Sequence, residues 1–332
     1  MNWEGKNILI TGSTGFVGFW LTKKLIEEKA NVISIVRDQV PESPFFFTGL
    51  SKMVKVINGD IIDFNLVNRV FNEYEIDSCF HLAAQPIVTI ANRSPIPTFE
   101  TNIKGTWNIL EVGRTCGTLE RMVIASTDKV YGEPIKLPIE EDHPLLAIYP
   151  YDASKSCLDI LSRTYAKTYG LPIGVTRCCN IYGGGDINFT RIIPGTIKSV
   201  LLGKSPVIRS DGTPIRDFIY VDDAVEAYLT IAENLNREEI KGEAFNFGSN
   251  SPISVLDSVK KIIKISGKKL EPEILGKSNP KGEIDRQYLS SKKAEKLLGW
   301  KPKVNLEEGL KRTIKWYQDF FNHFFNHPKV SS

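Results

Sequence analysis

The sequence predicts an α/β fold: an open, doubly wound parallel sheet with helices on both faces and a smaller mixed α/β lobe on the C-terminal side. Three observations carry that expectation. Short apolar runs alternate with helical patterns from residue 7 to residue 178. A glycine-rich turn stands between the first such run and the first helix. After residue 180 the alternation becomes irregular. Residues 1–180 are therefore expected to form the sheet domain and residues 181–332 mainly a second lobe, with segments near 215–250 returning to the first.

Asn7-Ile8-Leu9-Ile10 is the first strand, Trp20, Leu21, Leu25 and Ile26 mark the helix after it, and Val32 to Val36 is the second strand. Between the first strand and the helix, Thr11-Gly12-Ser13-Thr14-Gly15-Phe16-Val17-Gly18 has the spacing G-x-x-G-x-x-G. Strand, glycine turn, helix, strand is the unit that cradles a dinucleotide pyrophosphate at a helix N-terminus. Glycines permit the tight turn and let backbone N–H groups reach the phosphates. Val54 to Ile57 is the next strand, ending in Asn58-Gly59-Asp60-Ile61, and residues 64–74 are helical with Leu66, Val67, Val70 and Phe71 on one face. Ser78 to Leu82 follows as a strand ending in Ala83-Ala84-Gln85, where small residues permit close approach of a cofactor. His81, inside that apolar strand, reads as a satisfied core histidine.

Residues 98–117 are expected to be one helix, and residues 122–126 the strand that leads into Ser126-Thr127-Asp128-Lys129-Val130-Tyr131-Gly132. Pro134, Pro138, Pro144 and Pro150 then mark an irregular connection. The helix 151–169 places Tyr151 and Lys155 on one face, about one turn apart. Ligands of open α/β sheets collect at the C-terminal ends of the strands. A hydroxyl, a carboxylate and an amine there, beside a Tyr-x-x-x-Lys pair, form a constellation for moving protons and hydride.

Strand 173–178 leads to Asn180-Ile181-Tyr182 and Gly183-Gly184-Gly185. Beyond it come a helix at 188–203, strands at 207–208 and 218–221, and a helix to about 234 capped by Asp222 or Asp223. A strand at 244–247 and a helix at 253–265 follow. The last helix carries Phe320, Phe321, Phe324 and Phe325 with His323 and His327. The histidine spacing suits a metal, but no acidic third ligand stands near. A packed or dimer-facing end is the expectation, and no metal site is predicted. Phe45-Phe46-Phe47 either shapes a pocket or packs.

Composition restricts the function classes. The chain has 332 residues, 42% hydrophobic and 24% charged, with a net charge of +3. That charge is too small, and the lysines too dispersed, to argue for nucleic acid or a membrane surface. No apolar run approaches the ~18 residues of a membrane span, and no apolar leader precedes the first strand. The five cysteines form no C-x-x-C pair, and Cys178-Cys179 read as buried strand residues. A reduced, cytoplasmic enzyme is the simplest expectation.

Several motifs in order resemble one family across nearly the whole chain. They are TGSTGFVG at 11–18, GD at 59–60, HLAA at 81–84, STDKVYGE at 126–133, YDASK at 151–155, NIYG at 180–183, RDFIYVDD at 216–223 and LGWKP at 298–302. Together they resemble the extended short-chain dehydrogenase/reductases that act on nucleotide sugars, the NAD-dependent epimerase/dehydratase family. Thr127-Asp128 is similar to the 4,6-dehydratases within it. Lys129 is similar to the CDP-glucose 4,6-dehydratases and to the inverting UDP-N-acetylglucosamine dehydratases, and the NIYGGGD segment at 180–186 and the YDASK motif are most similar to the CDP-glucose type. The resemblance implies a Rossmann-type sheet, a homodimer paired through the helices at 98–117 and 151–169, and formation of a 4-keto-6-deoxy sugar. A 4-epimerase or an NAD(P)H-consuming reductase on the same scaffold is the alternative, and a non-enzymatic dinucleotide sensor a third reading.

The resemblance implies that Tyr151, Thr127, Asp128 and Lys129 divide the proton transfers among them. A free phenol has a pKa of about 10, so Tyr151 needs the positive charges of Lys155 and a nicotinamide to become a base. It then takes the C4 hydroxyl proton as hydride leaves C4, with Thr127 hydrogen-bonded to the C4 oxygen. Asp128 protonates the departing C6 hydroxyl. Lys129 either removes the C5 proton or steadies the enolate, in which case Tyr151 or Asp128 takes that proton. The cofactor set comprises Gly12, Thr14, Gly15, Phe16, Val17, Gly18, Arg37, Asp38, Asp60, Ile61, Ala83, Ala84, Gln85, Asn102, Tyr151 and Lys155. NAD is expected, with NADP possible because Arg37 suits a 2′-phosphate. Thr127, Asn180, Arg191, Arg216 and Arg286 are the expected substrate contacts, arginine being suited to diphosphate.

Overall fold

A computed structural model describes residues 2–276 and 284–326, with side chains to 323. Seven strands form one parallel sheet: β1 (Asn7–Thr11), β2 (Asn31–Val36), β3 (Lys55–Asn58), β4 (Ser78–His81), β5 (Arg121–Ala125), β6 (Ile173–Cys178) and β7 (Ala244–Phe247). Their order is β7-β6-β5-β4-β1-β2-β3. The chain starts in β1, builds outward through β2 and β3, then crosses back to place β4 on the other side of β1. That reversal opens a crevice at the carboxyl ends of β1 and β4. Ile8, Leu9 and Ile10 are fully buried because helices cover both faces of a parallel sheet. One apolar cluster lies on each face, with Ile8 and Ile10 in one and Leu9 in the other.

Helix α1 (Phe16–Glu27) starts from the glycine turn. The predicted single helix at 98–117 is assembled differently. Helical chain begins at Pro95, where a first-turn proline costs no hydrogen bond, widens through a π-turn at Glu100–Lys104, and continues as α2 (Gly105–Thr115). Helix α3 (Pro150–Tyr169) carries Tyr151 and Lys155 and also starts on a proline. Outward faces of these helical segments expose Ile96, Phe99, Trp107 and Ile160. The helix predicted at 188–203 spans only Ile192–Leu201.

Helix α4 (Val221–Asn234) corrects the expected cap. Tyr220 is the N-cap residue and offers no side-chain bond. Asp223 lies inside the first turn, turned away, and its carboxylate accepts hydrogen bonds from the Lys303 and Val304 backbone nitrogens at 3.0 and 2.9 Å. Two distant N–H groups outcompete its own helix terminus. Strand β7 pairs with β6, returning the chain to the sheet. Ile215–Arg216 pairs with Ile253–Ser254 and with Arg286–Gln287 in a small separate sheet.

Helix α5 (Leu306–Asn326) packs its Trp316, Tyr317, Phe320 and Phe321 against Phe47 and Phe189. Phe45 is fully buried beside Phe19, Val36 and Leu50, so this aromatic run is packing. His327 lies outside the described residues. Among those described, no cluster of three metal-ligating side chains exists, and no helix is long and apolar enough to cross a membrane.

Candidate active site

A cleft of about 1140 Å³ lies along the carboxyl edge of the sheet. The glycine turn forms its floor. A Cβ on Gly18 would sit 2.1 Å from the Gly12 carbonyl oxygen. One on Gly12, at φ +80°, would sit 2.7 Å from the Ala83 nitrogen. Turn, helix start and the β4 end therefore interlock in a way that only glycine permits, leaving the space above them open to a ligand that approaches backbone. This cradle fits a dinucleotide.

Gly12, Thr14, Gly15, Phe16, Val17 and Gly18 line the cleft, as do Arg37, Asp38, Asp60, Ile61, Ala83 and Ala84. Arg37 Nε donates to Asp38 at 2.7 Å and the guanidinium stands 3.9 Å from Asp60. Gln85 and Asn102 lie outside the lining. Gln85 N donates to Asn102 Oδ1 at 2.7 Å, and Asn102, fully buried, donates to Ser154 Oγ at 2.8 Å. They tie the β4 end to α3. His81 bridges Thr11 and Thr106 at 2.7 and 2.9 Å, and burial pushes its pKa down to about 3, so it stays neutral in the core.

Thr127, Asp128, Lys129, Tyr151 and Lys155 all line the same cleft. Thr127 caps the short turn Asp128–Tyr131, its hydroxyl oxygen accepting from Lys129 N at 3.3 Å and donating to Asp128 Oδ1 at 3.1 Å. Asp128 is 3% exposed, and its Oδ2 is buried without a hydrogen-bond partner. Burial raises its pKa against the opposing charges of Lys129 and Arg216. A carboxyl so held can keep and deliver a proton. Burial also holds the Tyr151 phenol up at about 12, against Arg191 as the largest opposing charge. Lys155 donates to the Ala125 carbonyl at 2.6 Å, and burial lowers it to about 8.

Asn180, Arg191 and Arg216 line the cleft opposite the glycine turn. Arg191 pairs with Asp186 at 2.9 Å, and Tyr317 donates to the Asp186 carbonyl at 2.6 Å. Arg216 is 7% exposed and donates to the Ile215 and Asp285 carbonyls. Arg286 is exposed and outside the lining. Cys178 and Cys179 are buried but reach the cleft wall, and burial raises Cys178 to about 12, so it is an inert thiol there.

Sequence reasoning passed over Arg209 and Ser210, which line the cleft, and Asp152 and Gln287 behind it. Only Asp152, inside the YDASK motif, had a local signal. It is 4% exposed with Oδ1 unpartnered, and burial lifts its pKa to about 6, with Asp128 adding to the rise and Lys129 opposing it. An unfolded aspartate titrates near ~3.9. Between those values the folded chain holds a proton that the unfolded chain has released, so this group's contribution falls as pH rises from ~4 to ~6. Asp152→Asn is therefore expected to raise the melting temperature more at pH 7 than at pH 4. An equal effect at both would show that Asp152 does not titrate in that window.

The model of the GDP-mannose 4,6 dehydratase family matches residues 9–313. The trifunctional UDP-glucose 4,6-dehydratase RHM2 of Arabidopsis thaliana is 33% identical over 95% of this chain, which spans only 47% of that protein. The CDP-glucose 4,6-dehydratase of Salmonella typhimurium is 30% identical over 95% of this chain and 91% of its own length. Among solved structures, the UDP-glucose 4-epimerase of Thermotoga maritima with UDP-glucose superposes with a TM-score of 0.86. It is 32% identical and covers 95% of this chain and 99% of its own. The dTDP-glucose 4,6-dehydratase of Bacillus anthracis in complex with NAD superposes at 0.83, with 28% identity and coverage of 95% and 97%.

Proposed function

From the premise that the chain belongs to the GDP-mannose 4,6-dehydratase family of extended short-chain dehydrogenase/reductases, we propose that it is a nucleotide-sugar 4,6-dehydratase using NAD, with CDP-glucose as the leading substrate. The observation that carries the reading is Asp128, a buried carboxyl with a raised pKa beside Thr127, Tyr151 and Lys155 in one cleft. Epimerisation at C4 needs no acid to expel a hydroxyl; dehydration does. The Salmonella CDP-glucose relative supports the substrate, together with the NIYGGGD and YDASK segments. The likeness to the Thermotoga epimerase keeps 4-epimerisation as the second reading.

NAD, when bound, supplies the acceptor and later the donor of one hydride. Gly12 to Gly18 would hold its pyrophosphate, Asp60 and Ile61 its adenine, and Lys155 its nicotinamide ribose. NAD rather than NADP is favoured by Asp38, which occupies Arg37. Thr127 orients the C4 oxygen by a hydrogen bond. Tyr151 takes the C4 hydroxyl proton, its phenolate supported by the charge of Arg191. The C4 ketone makes the C5 proton acidic, and Lys129 stands beside Asp128 to remove it. Asp128 gives its proton to the C6 hydroxyl, which leaves as water. Arg191 and Arg216 take the diphosphate.

A panel of nucleotide hexoses incubated with the protein tests the reading. The expected product of CDP-glucose is lighter by one water, with no net consumption of NAD. Unchanged mass with inverted C4 would establish the epimerase, and no reaction of any hexose would end both readings. The exposed Ile96, Phe99, Trp107 and Ile160 support a homodimer, for which sedimentation should give twice the 37.3 kDa chain mass; a 37.3 kDa species alone would remove the pairing.

A further inference from the structure

We propose that Gln287 is a positioning residue that aims the Lys129 amine at the reacting sugar, so that elimination depends on a side chain from the small C-terminal sheet. The inference rests on the dehydratase reading and extends it. Gln287 is fully buried on the strand Arg286–Gln287. Its Nε2 donates to the Asp128 carbonyl oxygen at 2.9 Å, and its Oε1 accepts from Lys129 Nζ. Chemistry fixes this orientation: a carbonyl only accepts and an ammonium only donates, so the reversed amide would lose both bonds.

Lysine is a point charge on a flexible four-carbon stem, and it swings towards whatever carboxylate is near. Among the described residues, Asp128 and Asp152 are carboxyls that feel the Lys129 charge, each with a buried oxygen that lacks a hydrogen-bond partner, and Arg216 stands beside Asp128. A neutral acceptor at Gln287 holds the amine in place without itself adding a carboxylate. That distinction matters for a group that must exchange a proton. A glutamate there would stabilise the ammonium and lose the bond to the Asp128 carbonyl. A methionine of similar volume would keep the packing and lose both bonds.

The test uses the full chain with Gln287→Glu and Gln287→Met. Competitive acetylation of Lys129 with acetic anhydride across pH, read by peptide mass, reports its titration without any turnover. Gln287→Glu should move the Lys129 midpoint to higher pH, and an unmoved midpoint would overturn the contact. With NAD and substrate, both variants should form reduced nicotinamide at the wild-type rate, then release dehydrated product roughly ten- to a hundred-fold more slowly, the scale of a misplaced catalytic group. Equal slowing of both steps would overturn the positioning role and leave a structural one. A wild-type protein that never dehydrates a nucleotide hexose would end the dehydratase reading, and with it the role in elimination, while the acetylation result still decides whether Gln287 holds Lys129.

Discussion

Tyr151→Phe is expected to lower turnover by roughly a thousand-fold, within the range that general acid–base groups contribute. It should also prevent the first appearance of reduced nicotinamide on mixing with substrate. The lost atom is the phenol oxygen, which shares the cleft with Thr127 and Asp128. Its removal leaves the ring to fill the same space, so the melting temperature should hold. Reduction at the wild-type rate in this variant would show that another group takes the C4 proton. Reduction that is lost together with the fold would say nothing against Tyr151, and thermal unfolding separates the two.

Tyr151 and Lys155 were legible because one helix carries both and its period puts them on one face. The sheet was legible because strands buried on both faces read as unbroken apolar runs, as in Ile8-Leu9-Ile10. The partners of those elements were not. Lys129 and Gln287 are separated by 158 positions, and no local pattern joins them. Arg286 is a substrate contact that the family resemblance implies, and it carries no signal for its neighbour. Neighbouring side chains on a strand point to opposite faces, however, and the buried one is Gln287. The place of Asp222 and Asp223 before a helical run suggests a cap at one or the other, but tertiary partners near residue 303 claim the Asp223 carboxylate. Local propensity carries no information about such a competition.

Asp159→Ala is expected to cost about 3–5 kcal/mol of folding stability, the range for leaving one member of a buried ion pair alone. Arg177 on β6 and Asp159 on α3 are 1% and 0% exposed, joined by two bonds of 2.9 and 2.8 Å. Arg177 also donates to the Tyr131 hydroxyl at 2.9 Å. Without the carboxylate a guanidinium remains in the core with two of its four hydrogen bonds lost. The exposed pair Lys315–Asp319 serves as the contrast, and Asp319→Ala should leave the denaturation midpoint nearly unmoved. Equal small losses in both variants would mean that the core relaxes around Arg177. Burial lowers Lys155, one turn before Asp159 on α3, and the Asp159 charge partly offsets it, so the variant should lower the Lys155 pKa further.

The strand order has a consequence for how the chain comes into being. Six of the seven sheet strands lie before residue 179, so vectorial synthesis releases the glycine turn, Thr127 to Lys129, Tyr151 and Lys155 as an early group. Arg216 follows, then the edge strand β7, and Gln287 arrives last. A nascent chain thus owns the hydride-handling half of the cleft well before it owns the group that steadies Lys129. On the proposed dehydratase reading, proton chemistry at C5 is the last part of the site to be completed.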